Sequence, residues 1–321
     1  MSHHVFEPQD PRLASLTLTG HDTAVAMFRK ALAEGRLAHA WLITGDCGIG
    51  KMTFAFSLAR ILLKGESEQS LSGRRISAAT HADLLVVERG YDEKRQRYRS
   101  EIIIDDIRAV NTFLHRTAAE GGWRVVLIDG AEWMNRNAAN ALLKILEEPP
   151  SEAVLFLTSS APGRLLPTIR SRCRQLELKP LNHEAIKTIL LKQYPNLTSD
   201  ELASVLPSAH GSPGKAFSLL ADKNGTIAQC VRQTLEGCHA LREYEIVETI
   251  LKQEKGFSLF FTLLCDALYN VARQRAFKGS NTCVDVVDAW EKIMRLRSET
   301  ERFNLDKQEV LLEALTCVSR L

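Results

Sequence analysis

A chain of 321 residues is longer than one hydrophobic core usually organises, so two or three domains are expected. Its 45% hydrophobic content is that of an ordinary globular protein, and 41 Lys and Arg against 39 Asp and Glu leave a formal charge of only +2. That balance excludes a one-signed field able to draw the whole molecule onto nucleic acid or an anionic membrane. The seven cysteines (Cys47, Cys173, Cys230, Cys238, Cys265, Cys283, Cys317) are odd in number, scattered and never spaced C-x-x-C. Neither a disulfide frame nor a zinc site is expected, and the free thiols fit a cytoplasmic chain. No apolar run approaches the ~18 residues of a membrane span, and the first dozen residues hold no signal-peptide core, so no membrane partner is expected.

From Leu37 to about Pro180, short Val, Ile and Leu runs alternate with helical patterns, which predicts an α/β fold with a mostly parallel sheet. The predicted strands are 40–44, 84–87, 124–128 and 154–158. Between the first two, Gly65–Thr80 is polar enough to read as a mobile loop. Glu93–Arg99 (EKRQRYR) and Arg74-Arg75 read as a solvated hairpin or loop, with contact to DNA or a partner as the alternative. Asp105-Asp106 precede Ile107, Val110 and Phe113 and read as a helix N-cap. A helix between the last two strands is capped by Asn135 or Asn137, buries Ala139, Leu142, Leu143 and Leu146, and ends at Pro149-Pro150.

After Leu181 the strand pattern stops. Thr198 with Glu201 makes a capping box, Gly211 closes that region, and Ser212-Pro213 opens a further helix through Ala216, Leu219 and Leu220. Beyond Pro213 there is no proline, and Phe257, Phe260, Phe261, Leu264 and Leu268 recur at helical spacing. The expected organisation is an α/β domain over 1–180, a small helical domain over 181–222 and an all-helical domain over 223–321.

The chemistry begins in HAWLITGDCGIGKMTFAFSLAR, where a buried strand runs into Gly45, Gly48, Gly50 and Lys51 and then into a helix. Glycines at that spacing let backbone N–H groups wrap phosphates, and the lysine reaches the β and γ phosphates. The pattern then calls for a hydroxyl to hold magnesium, but the residue is Met52, and Thr53 stands one position late, turned by about 100° around the helix. The strand Arg124–Ile128 ends in Asp129, the carboxylate expected on the metal side of such a site, although a structural cap is the alternative. A glutamate directly after it would orient water for hydrolysis. Here that residue is Gly130, and Glu132 lies three positions beyond Asp129.

Arg136–Leu178, RNAANALLKILEEPPSEAVLFLTSSAPGRLLPTIRSRCRQLEL, resembles the most distinctive segment of bacterial clamp-loader subunits. Its marks are the NALLK-LEEPP helix, the strand ending in Thr158-Ser159-Ser160, and the Ser171-Arg172-Cys173 triplet. The resemblance extends from Gly20-His21 and His39-Ala40-Trp41 to the C-terminal NLDKQEVLLEAL. It implies an AAA+ P-loop domain followed by a helical lid and a helical collar. It makes Arg172 an arginine finger, which reaches a neighbour's γ-phosphate and can be worth ~10³ to 10⁵ in turnover. Met52, Gly130 and the lack of a four-cysteine zinc module between Lys51 and Asp129 depart from the family's ATP-burning motors and favour its non-motor stator, with little or no ATPase and no polymerase site of its own. The alternative is an active motor subunit of the gamma/tau type. The partners implied are the gamma/tau motors, the delta subunit and, through the complex, the sliding clamp and primed DNA. Gly45, Gly48, Gly50, Lys51, Thr53, Asp129 and Lys215 are the candidate nucleotide ligands, Lys215 standing nearest the lid arginine of motor subunits or being merely solvated. ATP and magnesium binding stay open at this point.

Overall fold

In a computed structural model, residues 9–92, 97–222, 225–237, 240–253, 256–277, 283–303, 305–319 and 321 are described. The chain divides into two units, one of Glu7–Phe217 and one holding Ser218–Leu321. The first contains α1 (Pro11–Ala14), α2 (Asp22–Ala33), β1 (Ala40–Thr44), α3 (Lys51–Leu62), α4 (Leu71–Ser77), β2 (Leu84–Val87), β3 (Tyr91–Asp92), β4 (Arg97–Tyr98), α5 (Ile104–Leu114), β5 (Arg124–Ile128), α6 (Arg136–Glu147), β6 (Ala153–Ser159), α7 (Pro167–Arg172), β7 (Arg174–Glu177), α8 (His183–Gln193), α9 (Ser199–Val205) and the start of α10 (Pro213–Ala221). The helices of the expected lid, α8 and α9, group with this unit.

The five-stranded sheet has the order β2-β5-β6-β1-β7, every pair parallel. Successive side chains on a strand face opposite ways, so a sheet covered by helices on both sides needs apolar residues at every position. Leu42, Val126, Ile128, Leu155 and Leu157 enter the core against α5, α6 and α7. Their neighbours Trp41, Ile43, Val125, Leu127, Val154 and Phe156 enter the opposite core with α2 and α3. The four predicted strands are present, the last extended by one residue at each end. The edge strand β7 went unpredicted because its RQLE sequence buries only Leu176.

Two sequence expectations are corrected. Asp105 and Asp106 lie inside the first turn of α5, whose N-cap is Ile103. Asp106 still serves that terminus, since its Oδ2 accepts the Ile103 N–H at 2.9 Å while Arg99 Nη2 donates to Oδ1 at 2.9 Å. The polar stretch 65–80 is not a loose loop but contains α4, and the reason is Arg60. Only 1% exposed, Arg60 places all five N–H groups on neutral oxygens: Nε on Ser15 Oγ (2.8 Å), Nη1 on the Gly65 and Gly73 carbonyls (2.9 and 3.2 Å), Nη2 on the Arg12 carbonyl (2.6 Å) and Ser77 Oγ (2.9 Å). A buried guanidinium must have its donors filled, so the polar stretch is folded by the charge it satisfies. Beside it, His81 is buried: its Nδ1 accepts the Asp83 N–H (3.1 Å), so Nε2 carries the proton toward Ser72 Oγ (2.9 Å), which donates to the Leu63 carbonyl (2.6 Å). Of the basic stretch 93–99, residues 93–96 lie outside the described residues, while the backbone of Tyr91–Asp92 pairs antiparallel with Arg97–Tyr98.

The second unit is helical throughout its described residues, with the rest of α10 followed by α11 (Thr226–Glu236), α12 (Ala240–Leu251), α13 (Gly256–Phe277), α14 (Cys283–Phe303) and α15 (Lys307–Val318). Phe260, Phe261, Leu264 and Leu268 of α13 are fully buried in its core, as their spacing predicts. Among the described residues no helix is long and apolar enough to cross a membrane.

Replacing Arg60 by leucine takes one donor from each of the Arg12, Gly65 and Gly73 carbonyls, that of Arg12 keeping the Ser15 hydroxyl. Urea unfolding of Arg60→Leu is expected to show a loss of about 3 kcal/mol or more. Burial pushes the His81 pKa below its usual value, against the weaker pull of Glu120 and Asp83. The neutral ring therefore adds stability in full above about pH 6.5, and that contribution falls away as pH drops from there through the folded-state pKa. The acid limb of a Tm-against-pH curve is expected to flatten in His81→Gln.

Candidate functional site

The carboxyl ends of the parallel strands share one edge, where an open α/β sheet binds its ligands. From that edge β1 leads into the glycine loop, β5 into Asp129, β6 into Ser160 and β2 into Glu88 and Arg89. Together with α1, α8 and the start of α10, these segments enclose a cleft of about 900 Å³. Cys47–Thr53, Asp129, Gly130, Glu132, Thr158 and Ser160 line one part of it. Pro11, Ala14, Leu18, His21, Ile189 and Phe217 supply a more apolar part.

Gly48 and Gly50 hold φ of 76° and 100°, values that glycine reaches without strain, and a Cβ on Gly50 would meet nothing within 4 Å. The loop thus keeps the open cradle of a phosphate site. Lys51 opens α3 and donates from Nζ to the Gly45 carbonyl (3.0 Å), the Asp46 carbonyl (2.9 Å) and Ser160 Oγ (2.7 Å). Three donors are all an ammonium has, so the lysine fills the cradle itself, and any anion there would have to displace one of these bonds. Burial pushes its pKa down, opposed by Cys47, Glu132, Asp129 and Asp46.

On the facing wall Thr158 Oγ donates to Asp129 Oδ1 (2.7 Å) and accepts the Gly130 N–H (3.0 Å). Glu132 Oε1 accepts the Ser160 N–H at 2.9 Å, while Oε2 is buried without a partner. Its carboxylate is thus bound to the strand end. Gly130 has φ 68°, and a Cβ there would lie 2.5 Å from Trp133 Cδ1. The indole therefore fills the space into which a water-orienting glutamate would project. Met52 lines the cleft and packs on the core beneath it, and Thr53 also lines the cleft. As a magnesium donor set, Asp129 without a hydroxyl at position 52 is incomplete.

Pro213 and Gly214 of α10 face the cleft, whereas Lys215 is not among its lining residues and gives its backbone N–H to Ser212 Oγ (3.2 Å). The Gly214 N–H donates to the Gly48 carbonyl (2.9 Å), and Ser212 Oγ donates to the Cys47 carbonyl (3.1 Å). A Cβ on Gly214 would fall 2.8 Å from Gly48 Cα. The start of the helix thus rests on the phosphate loop through the Gly214 backbone and the Ser212 hydroxyl.

Arg172 does not line this cleft. It ends α7, where Nη2 pairs with Glu147 Oε1 at 2.8 Å and Nη1 donates to the Thr168 carbonyl at 3.1 Å. Ile169 and Cys173 on either side are buried in one core, and burial pushes the Cys173 thiol up to about 12.

A sequence model of the family described as "DNA polymerase III, delta subunit" matches residues 20–182, the segment that carries the cradle, Asp129 and Arg172. The DNA polymerase III subunit delta' of Pseudomonas aeruginosa is 35% identical over 77% of this chain and 76% of its own length. That of Escherichia coli is 32% identical over 75% and 74%. The chain belongs to the DNA polymerase III delta-prime family. The tau subunit of Escherichia coli is also similar, at 31% identity, but over 63% of this chain and 32% of its own. The delta-prime family match agrees with the departures at Met52 and Gly130.

Sequence reasoning gave no site role to Ser160, Arg89, Trp133 or Gly214. The first two were findable, because each follows a strand whose carboxyl end reaches the ligand edge. Trp133 and Gly214 act by filling or vacating space, which only packing reveals. Valine at 214 forces the α10 start and the loop apart. Gly214→Val is expected to lose about 1–3 kcal/mol and to speed amide hydrogen exchange at residues 48–51, whereas Gly163→Ala, with open space around it, should change neither.

Proposed function

We propose that this chain is the stator of a DNA polymerase III clamp loader, working beside gamma/tau motor subunits and a delta subunit to help place the sliding clamp on primed DNA. The placement of Arg172 carries this reading. A permanently charged fork stands at the end of a helix anchored in the core, outside its own chain's cleft. There it is available to a γ-phosphate held by a neighbour, where developing charge needs a fixed cation. The delta-prime relatives support the assembly.

The chain's own cleft is proposed to hold a nucleotide without turning it over. Gly48, Gly50 and Lys51 would hold the phosphates, which is the part of the site left intact. Met52 offers magnesium no oxygen, and Trp133 stands where the water-orienting carboxylate would be, so no hydrolytic step is assigned here. Isolated chain should therefore hydrolyse no ATP above background, and turnover by it would favour the motor reading instead.

In a complex reconstituted with motor and delta subunits, Arg172→Ala is expected to slow single-turnover hydrolysis at the adjoining site by about 10³-fold or more, and clamp loading with it. Wild-type rates from that complex would overturn the assignment.

A further inference from the structure

Arg89 leaves β2 beside Asp129, whose N–H donates to the Val87 carbonyl at 2.8 Å. Its guanidinium lies over the Trp133 ring, 4.4 Å from the centroid, and it lines the cleft. Among the described residues no side-chain hydrogen bond or ion pair joins it to another residue. Arg99, ten residues on, is by contrast paired with Asp106. A guanidinium stacked on an aromatic face is held in orientation while its in-plane N–H donors stay unspent. Those five donors match an anion with several oxygens.

The charges around it give the reason for such a group. Asp46, Asp129 and Glu132 all act on Lys51, three carboxylates against one cation whose Nζ donors must first leave partners within the protein. A phosphate chain running from the glycine loop toward Asp129 enters a region with more carboxylates than available cations. Arg89 supplies positive charge on that side, mounted on the indole that fills the space beside Gly130.

We propose that Arg89 is a phosphate-binding residue of this chain's own cleft, contacting the terminal phosphates of a nucleoside triphosphate that is retained and not hydrolysed. The assignment rests on the reading that the cleft takes a nucleotide. It uses one substitution twice: Trp133 blocks the water-orienting position and carries the cation that holds the anion.

The test is equilibrium dialysis of the full chain against labelled ATP with magnesium, and against AMP. Arg89→Ala is expected to weaken ATP binding about tenfold while leaving AMP binding and Tm unchanged. Arg89→Lys should recover part of the loss, and Trp133→Ala, which removes the platform, should reproduce part of it. Arg108→Ala, an exposed arginine paired with Asp105 outside the cleft, should bind as wild type does. Equal ATP affinity in wild type and Arg89→Ala, or parallel losses for ATP and AMP, overturns the role of Arg89 alone. Absence of ATP binding by wild type overturns the nucleotide reading of the cleft as well.

Discussion

The buried guanidinium of Arg60 is the interaction on which the phosphate-binding half of the first unit depends. It projects from the helix that Lys51 opens and is satisfied only by oxygens from segments that would otherwise lie apart: α1, the turn at Gly65 and the two ends of α4. A charge withdrawn from water tolerates no empty donor, so each segment is held at hydrogen-bond distance and not merely packed nearby. The consequence reaches the site. Arg60 fixes the Arg12 carbonyl and Ser15, and between them Ala14 forms part of the cleft wall. The far end of the P-loop helix thus sets the position of the surface facing its near end.

At the near end, the site has kept its shape and exchanged its chemistry. The glycines still bend the loop, and Asp129 still ends its strand, but Lys51, Asp129 and Glu132 are each engaged inside the protein. Lys51 is spent on two carbonyls and a serine, Asp129 on Thr158, Glu132 on the Ser160 amide, and the Gly48 carbonyl on Gly214. These bonds link the loops after β1, β5 and β6 and the start of α10 to one another. In a hydrolytic site the same groups must change partners during the reaction, so their mutual satisfaction opposes turnover even apart from the missing side chains. Gly130 and Trp133 act together here: glycine is required because the indole occupies the space, and the indole can occupy it because no Cβ is present.

The fold was legible to the extent that it depends on burial. Continuous apolar runs gave four strands of a sheet buried on both faces, and Thr198 with Glu201 gave the start of α9, because these signals are local. The edge strand β7 and helix α4 were not legible, since RQLE carries too little apolar pattern and α4 is folded by a charge from another helix. Within the site, Gly48, Gly50, Lys51 and Asp129 could be read because spacing fixes their backbone roles. Lys215 shows the limit of such reading. Side-chain type singled it out, yet the first-turn residues that face the cleft are Pro213 and Gly214, and Gly214 was passed over because a missing side chain gives no chemical signal in a sequence.

Arg172 shows how a short helix can hold a charged group in place outside its own chain's cleft. α7 is only six residues long and would not hold a direction by itself. It is held because Ile169 and Cys173 descend into the core that also packs α6, and Cys173, with its thiol pushed up to about 12, serves as an apolar anchor and not as a nucleophile. Glu147 at the end of α6 then takes one edge of the guanidinium, and the Thr168 carbonyl takes a second donor from the same group. A surface ion pair of this kind adds little to stability. Its effect is directional: two donors are committed to the mount, which fixes the plane of the guanidinium.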